Sequence, residues 1–205
     1  MPELRGLYVI TRHETRPERL IPDVAAAIQG GARLVQYRDK SGDTDKRAWE
    51  AQDLLTLCRP LGVPLLINDD TELARRIGAD GVHLGIGDGG IAQARRRLGP
   101  RAIIGATCHD SLERALQAQG DGASYVAFGR FFPSSSKPQA SPASPALLTE
   151  ARSRLRLPVV AIGGITPDNG ARLVDAGADM LAVIGSVFDQ PDITAAARCL
   201  ARLYA

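Results

Sequence analysis

Short apolar runs alternate along this chain with longer stretches in which apolar residues return every three or four positions. The runs have the length and composition of buried strands, at about Leu7–Thr11, Leu34–Arg38, Pro64–Asp69, Gly81–Gly85, Ala102–Thr107, Tyr125–Gly129, Val159–Gly164 and Met180–Gly185. The stretches between them, such as "DKRAWEAQDLLTLCRPLG", carry helical spacing. Runs such as "PVVAIGGI" are apolar at successive positions, the pattern of a strand covered on both faces. "GARLVQYR", "GADGVHLG", "GASYVAFG" and "GADMLAVIG" each open with Gly-Ala after a helical stretch. Glycine suits the left-handed residue that closes a helix, after which the chain turns directly into a strand. This alternation predicts an α/β protein folded as a single closed (β/α)8 TIM barrel over residues 1–205, with a doubly wound open sheet as the alternative. No linker divides the chain; the Ser/Pro-rich stretch "GRFFPSSSKPQASPAS" lies inside the repeat.

A length of 205 residues suits one domain with its own core. The formal net charge is only +2, from 25 basic and 23 acidic side chains, so neither nucleic acid nor an anionic membrane is expected as the main partner. The arginines of "ARRRLGPR" read as the solvated face of a helix. No apolar run approaches the ~20 residues that cross a bilayer. The first residues lack the apolar core and cleavage site of a signal peptide, and the expected location is cytoplasmic. Cys58, Cys108 and Cys199 are odd in number and widely spaced, which favours reduced thiols over disulfides or a zinc site. The pattern is compatible with a homo-oligomer.

In such a barrel the chemistry belongs at the C-terminal ends of the strands and in the loops that follow. The second run ends in Gln36, Arg38 and Lys40, and the third in Asn68, Asp69 and Asp70. Asp88 follows the fourth, Thr107 and His109 end the fifth, and the sixth opens into Ser134, Ser135, Ser136 and Lys137. The last two end in "AIGGITPDN" and "VIGS". Asp69 and Asp88 have the chemistry to share one hard divalent cation, since magnesium takes one or two carboxylates, waters and a substrate phosphate. A pair of helix-capping or loop aspartates is the competing reading, and Asp70 suits a cap equally well. Bare glycine N–H groups after the seventh and eighth strands fit a phosphate. Two anionic groups are thus expected at one rim. His83, inside a strand, reads as a hydrogen-bonded core residue; Tyr37 and Trp49 read as packing residues.

Taken in order, "LYVIT", "QYRDK", "INDD", "DGVHLG" with Asp88, "IIGATCH", "YVAFGRFFPSSSK", "PVVAIGGITPDN" and "AVIGS" resemble the thiamine phosphate synthase family over nearly the whole chain. The resemblance implies a Mg2+-dependent transferase that joins 4-amino-2-methyl-5-(diphosphooxymethyl)pyrimidine to a thiazole ethyl phosphate, free or as its carboxylated tautomer, releasing pyrophosphate. It implies that Gln36, Arg38, Lys40 and Asn68 hold the pyrimidine diphosphate and that Asp69 and Asp88 bind the metal. It places Thr107 near the pyrimidine, Ser134, Ser135 and Ser136 on the thiazole phosphate and Lys137 on the diphosphate. Gly164, Ile184 and Gly185 would complete the thiazole phosphate pocket through their backbones, with Lys137, Lys40 and Arg38 as the catalytic cations. Several positions depart from the family pattern. Thr107 stands for serine, "PSSSK" for Thr-x-Thr-Lys, Asp70 for arginine, Arg12 for aspartate, Arg130 for proline, and Gly185 for a serine on the last strand. A thiazole tautomerase, a phosphosugar isomerase or indole-forming barrel, and a non-enzymatic phosphate-ligand sensor are the rival readings.

Overall fold

Parallel pairing runs in chain order through β1 (Gly6–Ile10), β2 (Ala32–Tyr37), β3 (Leu65–Asn68), β4 (Gly81–Leu84), β5 (Ile103–His109), β6 (Tyr125–Phe128), β7 (Val159–Ile162) and β8 (Met180–Val183). β8 pairs back onto β1, so the sheet closes without an edge. The structure, a computed structural model, describes residues 3–12, 16–133 and 142–205. Between the strands lie α1 (Pro17–Gln29), α2 (Thr44–Cys58), α3 (Thr71–Ile77), α4 (Ile91–Leu98), α5 (Leu112–Gly120), α6 (Pro145–Arg154) and α7 (Pro167–Asp175). After β8 come the one-turn α8 (Gly185–Phe188) and α9 (Ile193–Ala201). Closure excludes the open sheet. Every strand lies within two residues of its expected bounds.

The repeated Gly-Ala joints behave as their sequence predicts. Gly31, Gly78, Gly122 and Gly177 all have positive φ, between 68° and 112°. The residue after Gly-Ala has a further task in three of the joints. Asp80 Oδ2 accepts from the Leu65 N–H (2.8 Å), Ser124 Oγ from Ile104 (3.0 Å) and Asp179 Oδ2 from Val159 (2.8 Å). Each thus satisfies a buried donor at the start of the preceding strand, which would otherwise be left unpaired.

Side chains alternate across the barrel wall. Leu34, Leu66, Ile103, Val160 and Met180 fill the interior together with Tyr8 and Tyr125. Leu7, Val9, Val35, Ile67, Val82, Val126 and Leu181 face outward against the helices. Both faces are covered, which is why the strands read as apolar throughout.

Two expectations fail here. Trp49 is 74% exposed and takes no part in the core. The buried face of α2 is Ala51, Leu54, Leu55 and Cys58, and at about 100° per residue Trp49 stands on the opposite side. Tyr37, by contrast, is buried and its hydroxyl donates to Glu50 Oε2 at 2.7 Å. In the "ARRR" cluster, Arg95 is not a solvated side chain. Its guanidinium donates to the carbonyls of Gly99, Ala102 and Gly122 and to Ser124 Oγ, tying the loop before β5 to the loop before β6. Arg95→Ala should therefore lower the unfolding free energy by about 2 kcal/mol, because buried carbonyls lose their donors. Arg95→Lys should recover little of it in a denaturant titration, since an ammonium lacks the forked donor geometry.

Cys58 and Cys108 are buried and unpaired, and Cys199 is exposed. Burial pushes the first two thiols up to about 12, so both stay protonated. No helix among the described residues is long and apolar enough to cross a membrane.

Candidate active site at the barrel mouth

A cavity of about 310 Å³ opens at the C-terminal end of the barrel. It is lined by Gln36, Arg38, Lys40, Asn68, Asp69, Asp88, Thr107, Gly164, Ile184 and Gly185. The sequence-expected residues that the structure describes therefore share one pocket. Ser134, Ser135, Ser136 and Lys137 lie outside the described residues. The chain leading to them is held at the rim: the Phe131 N–H bonds the Ile162 carbonyl, the Phe132 N–H bonds Gly163, and the Ala143 N–H bonds the Arg130 carbonyl.

The loop after β2 sorts its charges by alternation. Arg38 and Lys40 line the cavity, while Asp39 between them is buried at 8% exposure. Asp39 accepts from the Ser41 N–H (2.7 Å), the Ser41 hydroxyl and Lys46 Nζ (2.7 Å). Burial pushes this carboxyl up, but Lys46 and the two Ser41 donors outweigh it and hold it at about 2. A carboxyl lowered on folding contributes stability above its unfolded value near 4, and loses it as the pH falls toward 2. Asp39→Asn should thus cost about 2 kcal/mol at neutral pH, and its stability deficit should shrink between pH 4 and pH 2. Neither Asp39 nor Lys46 is conspicuous in sequence, although an Asp-x-Ser turn just before a helix cap is a readable signal.

Asp69 sits at the end of β3 in the left-handed region, with φ 63°. That conformation is uncommon for a residue with a side chain and turns its carboxylate toward the next strand end. Asn68 Nδ2 donates to Asp69 Oδ2 at 2.6 Å, and Lys40 Nζ lies 3.8 Å from the same oxygen. Asp88, from the loop after β4, accepts from the Gly85 N–H at 3.1 Å. A Cβ built on Gly85 would lie 2.4 Å from Asp88 Oδ2 and 3.9 Å from Asp69 Oδ1, so both carboxylates converge over a residue with no side chain. Burial, then the hydrogen bond and charge of Asp88, push the Asp69 carboxyl upward, against the pull of Lys40 and Asn68. Two facing carboxylates with one ammonium beside them make an oxygen-donor site suited to a hard cation. Asp70, next in the chain, is a cap: its side chain accepts from the Leu73 N–H and from Arg47.

The opposite rim is built from backbone. Gly163 and Gly164 have φ of 105° and 63°, and a side chain on Gly164 would strike the Pro133 carbonyl at 2.3 Å. Asn169 accepts from the Thr166 N–H (2.9 Å) and donates to the Gly164 carbonyl (3.0 Å), which fixes this loop to the start of α7. The Ser186 hydroxyl donates to the Ile165 carbonyl. At the start of α8, a Cβ on Gly185 would lie 2.2 Å from Asp189 Oδ2, and Asp189 is ion-paired with Arg12. Two departures from the family pattern, Arg12 and Gly185, are therefore linked through Asp189.

His83 points into the barrel, with Nδ1 2.8 Å from the Tyr125 hydroxyl and Nε2 2.9 Å from Thr107 Oγ1. His109 lines the cavity in a left-handed conformation (φ 52°), and its carbonyl accepts from the Gly129 N–H. Tyr8 and Tyr125 were not expected at the site; they come together only through closure of the barrel.

A family model described as thiamine monophosphate synthase matches residues 7–187. The chain is 54% identical over 200 residues to the thiamine-phosphate synthase of Thiobacillus denitrificans, covering 98% of this chain and 95% of that one. It is equally 54% identical to that of Chromobacterium violaceum, covering 98% and 96%. A solved thiamine phosphate pyrophosphorylase from Pyrococcus furiosus superposes with a TM-score of 0.88 at 33% identity, covering 98% of this chain and 96% of that one.

Proposed function

The chain belongs to the thiamine monophosphate synthase family, and from that premise we propose how its barrel mouth works as a transferase that makes thiamine phosphate. The pyrimidine diphosphate lies across Gln36, Arg38, Lys40 and Asn68, and the thiazole phosphate lies against the backbone of Gly164, Ile184 and Gly185. The convergence of Asp69, Asp88 and Lys40 on one side of a cavity whose other side is bare backbone carries this reading.

The pyrimidine ring delocalises positive charge at its methylene, so the substitution is dissociative: the bond to the diphosphate breaks before the thiazole nitrogen attacks. Negative charge then grows on the departing pyrophosphate. Lys40 and Arg38, fixed by the buried Asp39 anchor, stabilise that charge in a partly dry site. Asp69 and Asp88 fit Mg2+, which would add its two positive charges to those of Lys40 and Arg38 at the leaving group when bound. Ser134 to Ser136 and Lys137 are assigned to the thiazole phosphate and the diphosphate on family resemblance. The thiazole nitrogen has no proton to lose, so no general base is needed. Holding two phosphorylated partners in one cavity supplies the rest through proximity.

Incubation with both phosphorylated halves and Mg2+ should give thiamine phosphate and pyrophosphate in equal amounts, and a chelator should stop both. Conversion of a carboxylated thiazole phosphate without pyrophosphate release would identify a tautomerase instead.

A further inference from the structure

Polar side chains from five of the strands are strung across the barrel beneath the mouth. Gln36 Nε2 on β2 donates to the Tyr8 hydroxyl on β1. The Tyr8 and Tyr125 hydroxyls are 2.9 Å apart, Tyr125 lies 2.8 Å from His83 Nδ1, and His83 Nε2 lies 2.9 Å from Thr107 Oγ1. The Tyr125 ring stacks on His83 at 5.7 Å and meets Tyr8 edge-on.

Proton counting gives this chain a direction. Tyr8 and Tyr125 are 1% and 0% exposed, and burial raises both above the ordinary tyrosine range, so each keeps its single proton away from water. Tyr8 already accepts from the Gln36 amide. Its own proton must go to Tyr125, because otherwise it would face only another donor. The Tyr125 proton then goes to His83 Nδ1. A neutral imidazole that accepts at Nδ1 carries its hydrogen on Nε2 and donates it to Thr107.

We propose that Tyr8, Tyr125 and His83 are positioning residues that lock His83 in the Nε2–H form, so that Thr107 accepts from behind and turns its own hydroxyl hydrogen into the cavity. With the opposite polarity, Thr107 would give its proton to His83 and present only lone pairs. The ring nitrogens of an aminopyrimidine accept and its exocyclic amino group donates, so the first polarity seats a ring nitrogen at Thr107 and the second would seat the amino group instead. This functional part rests on the reading of the site as a pyrimidine pocket; the tautomer does not.

Long-range proton–nitrogen correlation spectra of histidine-labelled wild-type protein, without substrate, test the tautomer directly. Nε2 of His83 should be protonated and Nδ1 bare; a proton on Nδ1, or on both, overturns the proposal. In the enzyme, Tyr125→Phe should raise KM for the pyrimidine diphosphate about tenfold, the effect of losing one hydrogen bond, and leave KM for the thiazole phosphate unchanged. Thr107→Val should do the same, and the double variant should add nothing further. Equal rises in both KM values, or effects that multiply, would reduce the chain to ordinary packing. If wild-type protein made no thiamine phosphate, the assigned reaction would fall while the tautomer result stood.

Discussion

Asp69→Asn should lower turnover by about 100- to 1,000-fold while leaving the barrel folded, the scale seen when one preorganised contact to a developing charge is removed. The substitution keeps the size of the side chain and the left-handed backbone, which asparagine tolerates well. It removes one of the two carboxylates over Gly85 and the charge beside Lys40. Burial and Asp88 already push the Asp69 carboxyl upward, so loss of its charge relieves repulsion in the metal-free protein. Circular dichroism should show an unchanged or slightly raised Tm. Wild-type turnover in a folded Asp69→Asn protein would show that the two carboxylates do not serve the leaving group.

A second large effect is expected inside the barrel. Gly105→Ala should lower Tm by about 6–12 °C, corresponding to about 3 kcal/mol of overpacking. Its Cβ would lie 2.1 Å from Tyr125 Cζ, 2.3 Å from the Tyr125 hydroxyl and 2.6 Å from His83 Nδ1. The Tyr125 ring is buried and stacked on His83, so it has little room to withdraw. Gly105 thus makes the space in which the polar chain is assembled. A thermal scan with wild-type Tm would mean that Tyr125 moves more freely than its surroundings suggest.

The strands, the Gly-Ala joints and the rim residues were legible because each is signalled within a few positions. The residues that line the mouth lie next to strand ends, and a strand end is a local feature. What the chain hid depends on distance. Tyr8 and Tyr125 are 117 positions apart, and in strands apolar at every position nothing local distinguishes inner from outer faces. Only closure makes Tyr8, Tyr125 and Leu34 inner residues and Val9, Val126 and Val35 outer ones. Arg95 looked like one of three surface arginines because its carbonyl partners belong to loops that packing brings together. Trp49 differs in kind: its place opposite Ala51, Leu54, Leu55 and Cys58 on α2 is local, and that helix angle, not the size of the indole, decides its exposure.

Asp189 fills the space a side chain at position 185 would need, and Arg12 is ion-paired with it. A side chain entering position 185 would therefore push the exposed Asp189 carboxylate out of its present place. Substitution at this corner of the barrel is felt beyond its own site, because the carboxylate that yields is the one the Arg12 guanidinium holds. A loop exchanged at any one of these three positions would thus reset the geometry of the other two.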